Sequence, residues 1–233
     1  MSNGTINFKN KGFPVIRLGN VDIFWLSKDY EFQNWQKLLT AEENQKMNSM
    51  KATMRANEFG RSRALVHSLF SGNYALSKFP DGHINWPTDI VGSLSHKAGH
   101  VALALSQNSN FHSIGIDCES VSKINLGIKS KVITPEEEKH FGHLNFSDNQ
   151  VLAIIFSLKE ALFKCHYPLG QKMFYFEDAY LDTISGTGSI TATVKVDTSP
   201  MTPAGYSTRG CFHFFEEGGE EYIISLAYLT KES

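Results

Sequence analysis

Long apolar runs are missing from this chain. The longest of note, Val151–Phe156, falls far short of the roughly 18 apolar residues that a membrane-spanning helix needs. The polar opening MSNGTINFKNKG lacks the apolar core of a secretory leader, so the expectation is a cytoplasmic protein with no membrane anchor. Cysteine is scarce: Cys118, Cys165 and Cys211 are odd in number, widely spaced and without a C-x-x-C pair, which excludes a disulfide framework and a zinc site of the usual spacing. A basic excess is missing too. With 22 Lys and Arg against 24 Asp and Glu, the formal charge is −2, which argues against a general nucleic-acid binder. Any anionic ligand must then be held by a local cluster of cations.

What is present is an ordinary globular composition, 41% apolar and 20% charged over 233 residues, enough to bury a sizeable core. Two helix starts are written alike. Thr40-Ala41-Glu42-Glu43 and Thr134-Pro135-Glu136-Glu137 each place a Thr cap three residues before a Glu that can reach back to it. A strand-like run precedes each box, Val21–Leu26 before the first and Gly115–Glu119 before the second. Downstream, Phe59–His67 and Phe156–Lys164 in register share Phe, Ala and Leu. The pattern points to an internal duplication with halves 1–112 and 113–233. The expected fold is α+β, two similar halves with antiparallel sheets related by a pseudo-twofold, which would bring Arg63 and Glu160 toward a common cleft.

The second long helix is the better specified. Ser147 and Gln150 form another capping box, and Val151, Leu152, Ile154, Ile155, Leu158, Ala161 and Leu162 supply a broad apolar face. Beyond it, Ser189–Val196 alternates as a strand, and Arg209–Phe215 with Tyr222–Leu229 reads as a hairpin around Gly218-Gly219.

The unusual stretch is GIDCE, residues 115–119. Ile114, Ile116 and Cys118 alternate with Gly115, Asp117 and Glu119, the period of a half-buried strand, so both acids share one face roughly 6.5–7 Å apart. Two such carboxylates repel unless something positive lies between them, and a hard cation is the candidate. The turn-rich Gln107–Asn110 suggests an antiparallel hairpin in which Val101 faces Cys118. That pairing would bring Ser93–Lys97 to the end that carries the acids. Carboxylates beside Ser95, His96, Lys97, Arg63, His67, Lys159 and Lys164, with Glu160 as a third acid, suit magnesium-dependent chemistry on a phosphoanhydride.

In order and spacing, Trp86-Pro87, Gly92-Ser93-Leu94-Ser95-His96, Gly115–Glu119, Ile133–Glu137 and Phe156–Lys164 resemble the motifs of 4′-phosphopantetheinyl transferases. The two-halved, surfactin- and enterobactin-type subgroup is the nearest, and His166-Tyr167-Pro168-Leu169 resembles it as well. The resemblance covers roughly residues 55–180. It implies transfer of phosphopantetheine from coenzyme A to a serine of an apo acyl or peptidyl carrier protein, with Mg²⁺ required and 3′,5′-ADP released. It implies Asp117, Glu119 and Glu160 as metal-site acids and Glu160, Lys164 and His96 as catalytic residues. Coenzyme A contacts are implied for Ser95, His96, Lys159, Lys164 and Arg63 by the resemblance. His67 stands where the family commonly has a second arginine. Arg55, eight residues before Arg63, and His83 complete the candidate set on the N-terminal, coenzyme A-binding side.

Two other classes fit some of these residues. A metal-dependent nuclease or phosphodiesterase would use the same acids but wants a basic surface, and a catalytically silent carrier-binding relative would not need all three acids. Ser95-His96 lacks the G-x-S-x-G context of a hydrolase. A duplicated chain able to enclose its own cleft is expected to be a monomer.

Overall fold

A computed structural model describes residues 15–18, 20–70, 84–107, 111–141, 144–185 and 188–231. Among them are nine strands in two antiparallel sheets and five α-helices, the expected α+β class. The chain divides into two compact units, Met1–Ile90 with Leu94–Asn108, and Val91–Ser93 with Ser109–Ser233. No helix of the described residues is long and apolar enough to cross a membrane.

The first unit runs β1 (Val15–Leu18), β2 (Val21–Leu26), α1 (Ala41–Asn48), α2 (Thr53–Leu69), β3 (Ile90–Lys97) and β4 (His100–Gln107), with sheet order β1-β2-β4-β3. Phe24, Leu26, Leu65, Val66, Leu69, Val101, Leu103 and Leu105 form its core, so one face of α2 packs onto β2 and β4. Helix α1 begins as its sequence predicts. Thr40 Oγ1 accepts from Glu43 N–H at 3.2 Å and Glu43 Oε2 accepts from Thr40 N–H at 3.0 Å, closing the capping box.

The second unit contains β5 (Phe111–Ser120), α3 (Lys129–Val132), α4 (Pro135–Phe141), α5 (Asp148–Gly170), β6 (Ala179–Ile184), β7 (Ser189–Val194), β8 (Tyr206–Glu217) and β9 (Glu220–Thr230). Its sheet order is β5-β9-β8-β7-β6. The β8–β9 hairpin turns through Gly218 and Gly219 at φ 59° and 76°, the left-handed region that glycine enters without a Cβ clash. The capping boxes at Thr134 and Ser147 are both formed.

One expected pairing is corrected. Strands β4 and β5 do not form a hairpin: Val101 faces Leu26 of β2, and Cys118 faces Ile224 of β9. Both edges of β4 are already taken by β2 and β3, so β5 opens a second sheet.

Helix α5 lies on the face of β5 that carries residues 113, 115 and 117. Cys165 Sγ donates to Ser113 O at 3.6 Å, and a Cβ built on Gly115 would stand 2.0 Å from Ala161 O. Glycine is therefore required at 115 for the helix to sit this close. One turn earlier Ser157 and Ser225 share a buried hydroxyl hydrogen bond of 2.5 Å, and Ser225 is the β9 partner of Asp117. The far end of α5 is pinned by His166, fully buried, whose Nδ1 meets Thr198 Oγ1 at 2.9 Å and whose Nε2 meets Thr208 Oγ1 at 2.7 Å. Burial pushes its pKa down to about 4, so the ring is neutral.

Candidate active site

Asp117 and Glu119, two residues apart, share the α5-facing side of β5, and both are buried. The strand is fixed just beyond them. Glu220, at the start of β9, accepts from Ser120 Oγ, from Ser122 Oγ at 2.9 Å, from Lys123 Nζ at 2.6 Å and from Tyr222 OH at 3.0 Å. These donors pull its pKa down to about 2, the Lys123 bond first. Ile116 N–H, on the outer edge of β5, donates to Ser93 Oγ at 3.0 Å, so the start of β3 lies against the strand midway between its glycine and its acids.

Helix α5 brings two charges to this face. Lys164 Nζ donates to Asp117 Oδ1 at 2.7 Å. Burial acts to lower the Lys164 pKa, but the hydrogen bond and charge of Asp117, with Cys118 and Glu160, outweigh it and raise the pKa, so the ammonium stays charged. Glu160, one turn earlier, has its pKa raised, first by burial and then by the negative charge of Asp117, with Lys164 opposing. Glu160 also borders a cavity of about 220 Å³ lined by Phe163, Phe174, Tyr175 and Phe176. An acid of raised basicity thus stands between a carboxylate–ammonium pair and an apolar, aromatic slot.

Among the described residues, no three His, Cys, Asp or Glu side chains are gathered into a shell ready to hold a metal ion. The donor chemistry is nonetheless that of a hard cation. The charge of Asp117 acts on Glu160, and Lys164 is held at Asp117, where carboxylate oxygens stabilise positive charge.

Lys159, expected as a coenzyme A contact, has its ammonium held by the protein itself. It is 1% exposed, and its three ammonium protons go to Val132 O at 2.8 Å, Glu137 Oε2 at 2.8 Å and Phe176 O at 3.0 Å. Glu137 is equally buried and accepts Leu181 N–H at 2.9 Å on its other oxygen. Burial lowers the Lys159 pKa while Glu137 opposes the shift. Sequence reading identified Glu137 only as half of a capping box. Its second task, joining α4, α5 and β6, depends on chain segments far apart in sequence and left no local signal.

Residues 113–227, which contain this arrangement of acids, lysine and glycine, match the family model described as the 4′-phosphopantetheinyl transferase superfamily. Over these residues the chain is similar to that superfamily. Among its relatives, the 4′-phosphopantetheinyl transferase Npt of Nocardia iowensis is 33% identical over 109 residues, 46% of this chain and 48% of that protein. The transferase PptT of Mycobacterium tuberculosis is 28% identical over 121 residues, 50% of this chain and 53% of its own. Svp of Streptomyces mobaraensis is 31% identical over 117 residues, 49% of this chain and 48% of its own. The chain spans about half the length of the curated phosphopantetheinyl transferases it matches.

The first unit holds the remaining candidates of the transferase motif set. Arg63 and His67, expected as phosphate contacts, are buried beside Glu43. Arg63 is 3% exposed, lies over Phe59 at 5.3 Å and has its Nε 4.0 Å from Glu43 Oε1. His67 Nε2 lies 2.8 Å from Glu43 Oε2. Burial works to raise the Glu43 pKa, but the His67 and Thr40 hydrogen bonds and the charges of His67 and Arg63 bring it down. The physical reason is the same as at Lys159: the N3 glutamate of the capping box draws in the cations of the following helix. Arg55 is exposed on α2, Ser95 is buried in β3, and His96 beside it is exposed. His83 lies outside the described residues.

Proposed function

We propose that this chain is a 4′-phosphopantetheinyl transferase that moves phosphopantetheine from coenzyme A to the serine hydroxyl of an apo acyl or peptidyl carrier protein. The observation that carries the reading is the juxtaposition of Glu160 and Lys164 on α5 with Asp117 on β5, inside the segment that matches the superfamily. Asp117, Glu119 and Glu160 would hold Mg²⁺, which when bound supplies charge neutralisation at the pyrophosphate.

The serine oxygen attacks the phosphorus that bears the pantetheine arm. The bond from that phosphorus to the oxygen bridging to the nucleotide breaks, and 3′,5′-ADP leaves with the electron pair. Glu160 accepts the serine proton, a task suited to a carboxylate whose basicity burial and Asp117 have raised. Lys164, held charged, lies where negative charge gathers on the transferring and leaving oxygens. The aromatic slot beside Glu160 suits the largely apolar pantetheine arm and excludes water from the reacting group. On the first unit, His96, with Ser95 and the exposed Arg55, is assigned to the coenzyme A phosphates by its place in the motif set.

The test is a mass measurement. Full-length protein incubated with coenzyme A, Mg²⁺ and an apo carrier protein is expected to add one phosphopantetheine to the carrier and release 3′,5′-ADP in equal amount. No mass gain across carriers of fatty-acid, polyketide and nonribosomal-peptide type would reject the reading. Nucleotide release without a carrier would indicate a phosphodiesterase instead.

A further inference from the structure

The β3–β4 hairpin turns through Ala98 and Gly99, both left-handed, at φ 51° and 87°. An alanine in that region costs about 1–2 kcal/mol, so the surrounding contacts must hold the turn in place. Two elements of the first unit do this. From α2, Glu58 Oε1 accepts Gly99 N–H at 2.8 Å. From the end of β2, Lys28 N–H donates to His100 Nδ1 at 3.2 Å, and the His100 ring stacks on Trp25 with centroids 5.0 Å apart.

Glu58 has a second oxygen, and it faces the hairpin too. Oε2 lies 3.5 Å from Nδ1 of His96, the residue that β3 presents outward just before the turn. The Glu58 side chain is 9% exposed and the His96 side chain 46% exposed, so one edge of the imidazole meets a buried carboxylate and the remainder is open to a ligand. The cations near this tip are Lys97, next in β3, Lys28, whose Cβ lies 3.1 Å from where a Cβ of Gly99 would stand, and Arg61, which donates to Lys28 O at 2.9 Å.

We propose that Glu58 is a positioning residue for His96. One carboxylate does two things: it fixes the turn through Gly99 and faces Nδ1 of His96, which sets how the ring is turned. With Nδ1 turned toward Glu58, Nε2 is the ring nitrogen left facing an arriving phosphate oxygen. The inference rests on the proposed reading in that the arriving anion is a coenzyme A phosphate, while the pairing of Glu58 and His96 stands on its own geometry.

The variant that separates these roles is Glu58→Gln. Its amide oxygen keeps the Gly99 N–H, and its NH₂ takes the place of Oε2, so the carboxylate facing His96 Nδ1 is lost while the turn contact stays. Two readouts are taken on the full chain at neutral pH, with the thermal midpoint confirming the fold. The imidazole ¹⁵N chemical shifts of His96 should change, because the group facing Nδ1 is no longer a carboxylate. The dissociation constant for coenzyme A, measured calorimetrically, should rise roughly fivefold or more, as for loss of a charge-assisted hydrogen bond, with kcat changing far less than KM. Unchanged ¹⁵N shifts in Glu58→Gln would overturn the positioning role, and so would unchanged coenzyme A affinity in a wild-type protein that binds it. A wild-type protein that does not bind coenzyme A would reject the transferase reading, and the ¹⁵N shifts would still decide the pairing.

Discussion

The place a side chain would need at Gly115 is filled by the carbonyl oxygen of Ala161, 2.0 Å from where the Cβ would stand, with Cys165 N at 2.5 Å. Strand β5 and helix α5 therefore meet backbone to backbone at the level of the acids. That contact sets Lys164 against Asp117 and holds Glu160 within reach of the same charge.

Gly115→Ala should accordingly destabilise the protein by about 1–3 kcal/mol, the usual range for overpacking a close contact. It should also cost more activity than stability, because relief requires α5 to move away from the acids. Urea denaturation and transfer rates on the same preparation check this, and a variant with normal rates would show that the approach of the helix is not what aligns the site.

Glu160→Gln should abolish transfer while making the metal-free protein more stable at alkaline pH. The folded-state pKa of Glu160 is raised, so the group favours folding at low pH, and that contribution is lost as pH rises through the folded value. Glutamine stays neutral throughout. The stability difference between variant and wild type should thus grow from acid to alkaline pH in unfolding experiments run with a chelator.

Lys159→Met should act on folding rather than on coenzyme A affinity. It leaves Glu137 buried without its cation, a loss of about 3–5 kcal/mol where one partner of a buried ion pair is removed. The double replacement with Glu137→Leu should recover part of that stability. A Lys159→Met protein of wild-type stability but weakened coenzyme A binding would return this lysine to the phosphates.

His166 gives the fold an acid-sensitive point. Its pKa is near 4 in the folded protein against an ordinary 6.5, so its contribution is present above pH 6.5 and is lost as pH falls through 4. The loss is on the order of 3 kcal/mol for a shift of that size. Unfolding followed from pH 7 to pH 4 should show it, and His166→Asn, which has no titrating ring, should flatten that part of the profile.

Local signals in the sequence were strong where a short stretch suffices. The boxes at Thr40, Thr134 and Ser147 are closed by residues three apart, so their glutamates and glutamine could be read directly. The alternation in GIDCE correctly placed Asp117 and Glu119 on one strand face. The hairpin between β4 and β5 was misread because strand pairing depends on which edges are already occupied, and β2 and β9 lie far from both in sequence. The protein partners of three cations were illegible for a related reason. Arg63, His67 and Lys159 look alike as exposed phosphate ligands until folding buries the N3 glutamates that capture them.

The sequence alone determined the element types, the superfamily motifs and the identity of the acids, because periodicity, capping and spacing are local properties of the chain. Tertiary structure decided which charges remain available for chemistry. Two elements distant in sequence must meet before Lys164 can pair with Asp117, Lys159 can be taken by Glu137, or Glu58 can stand behind His96.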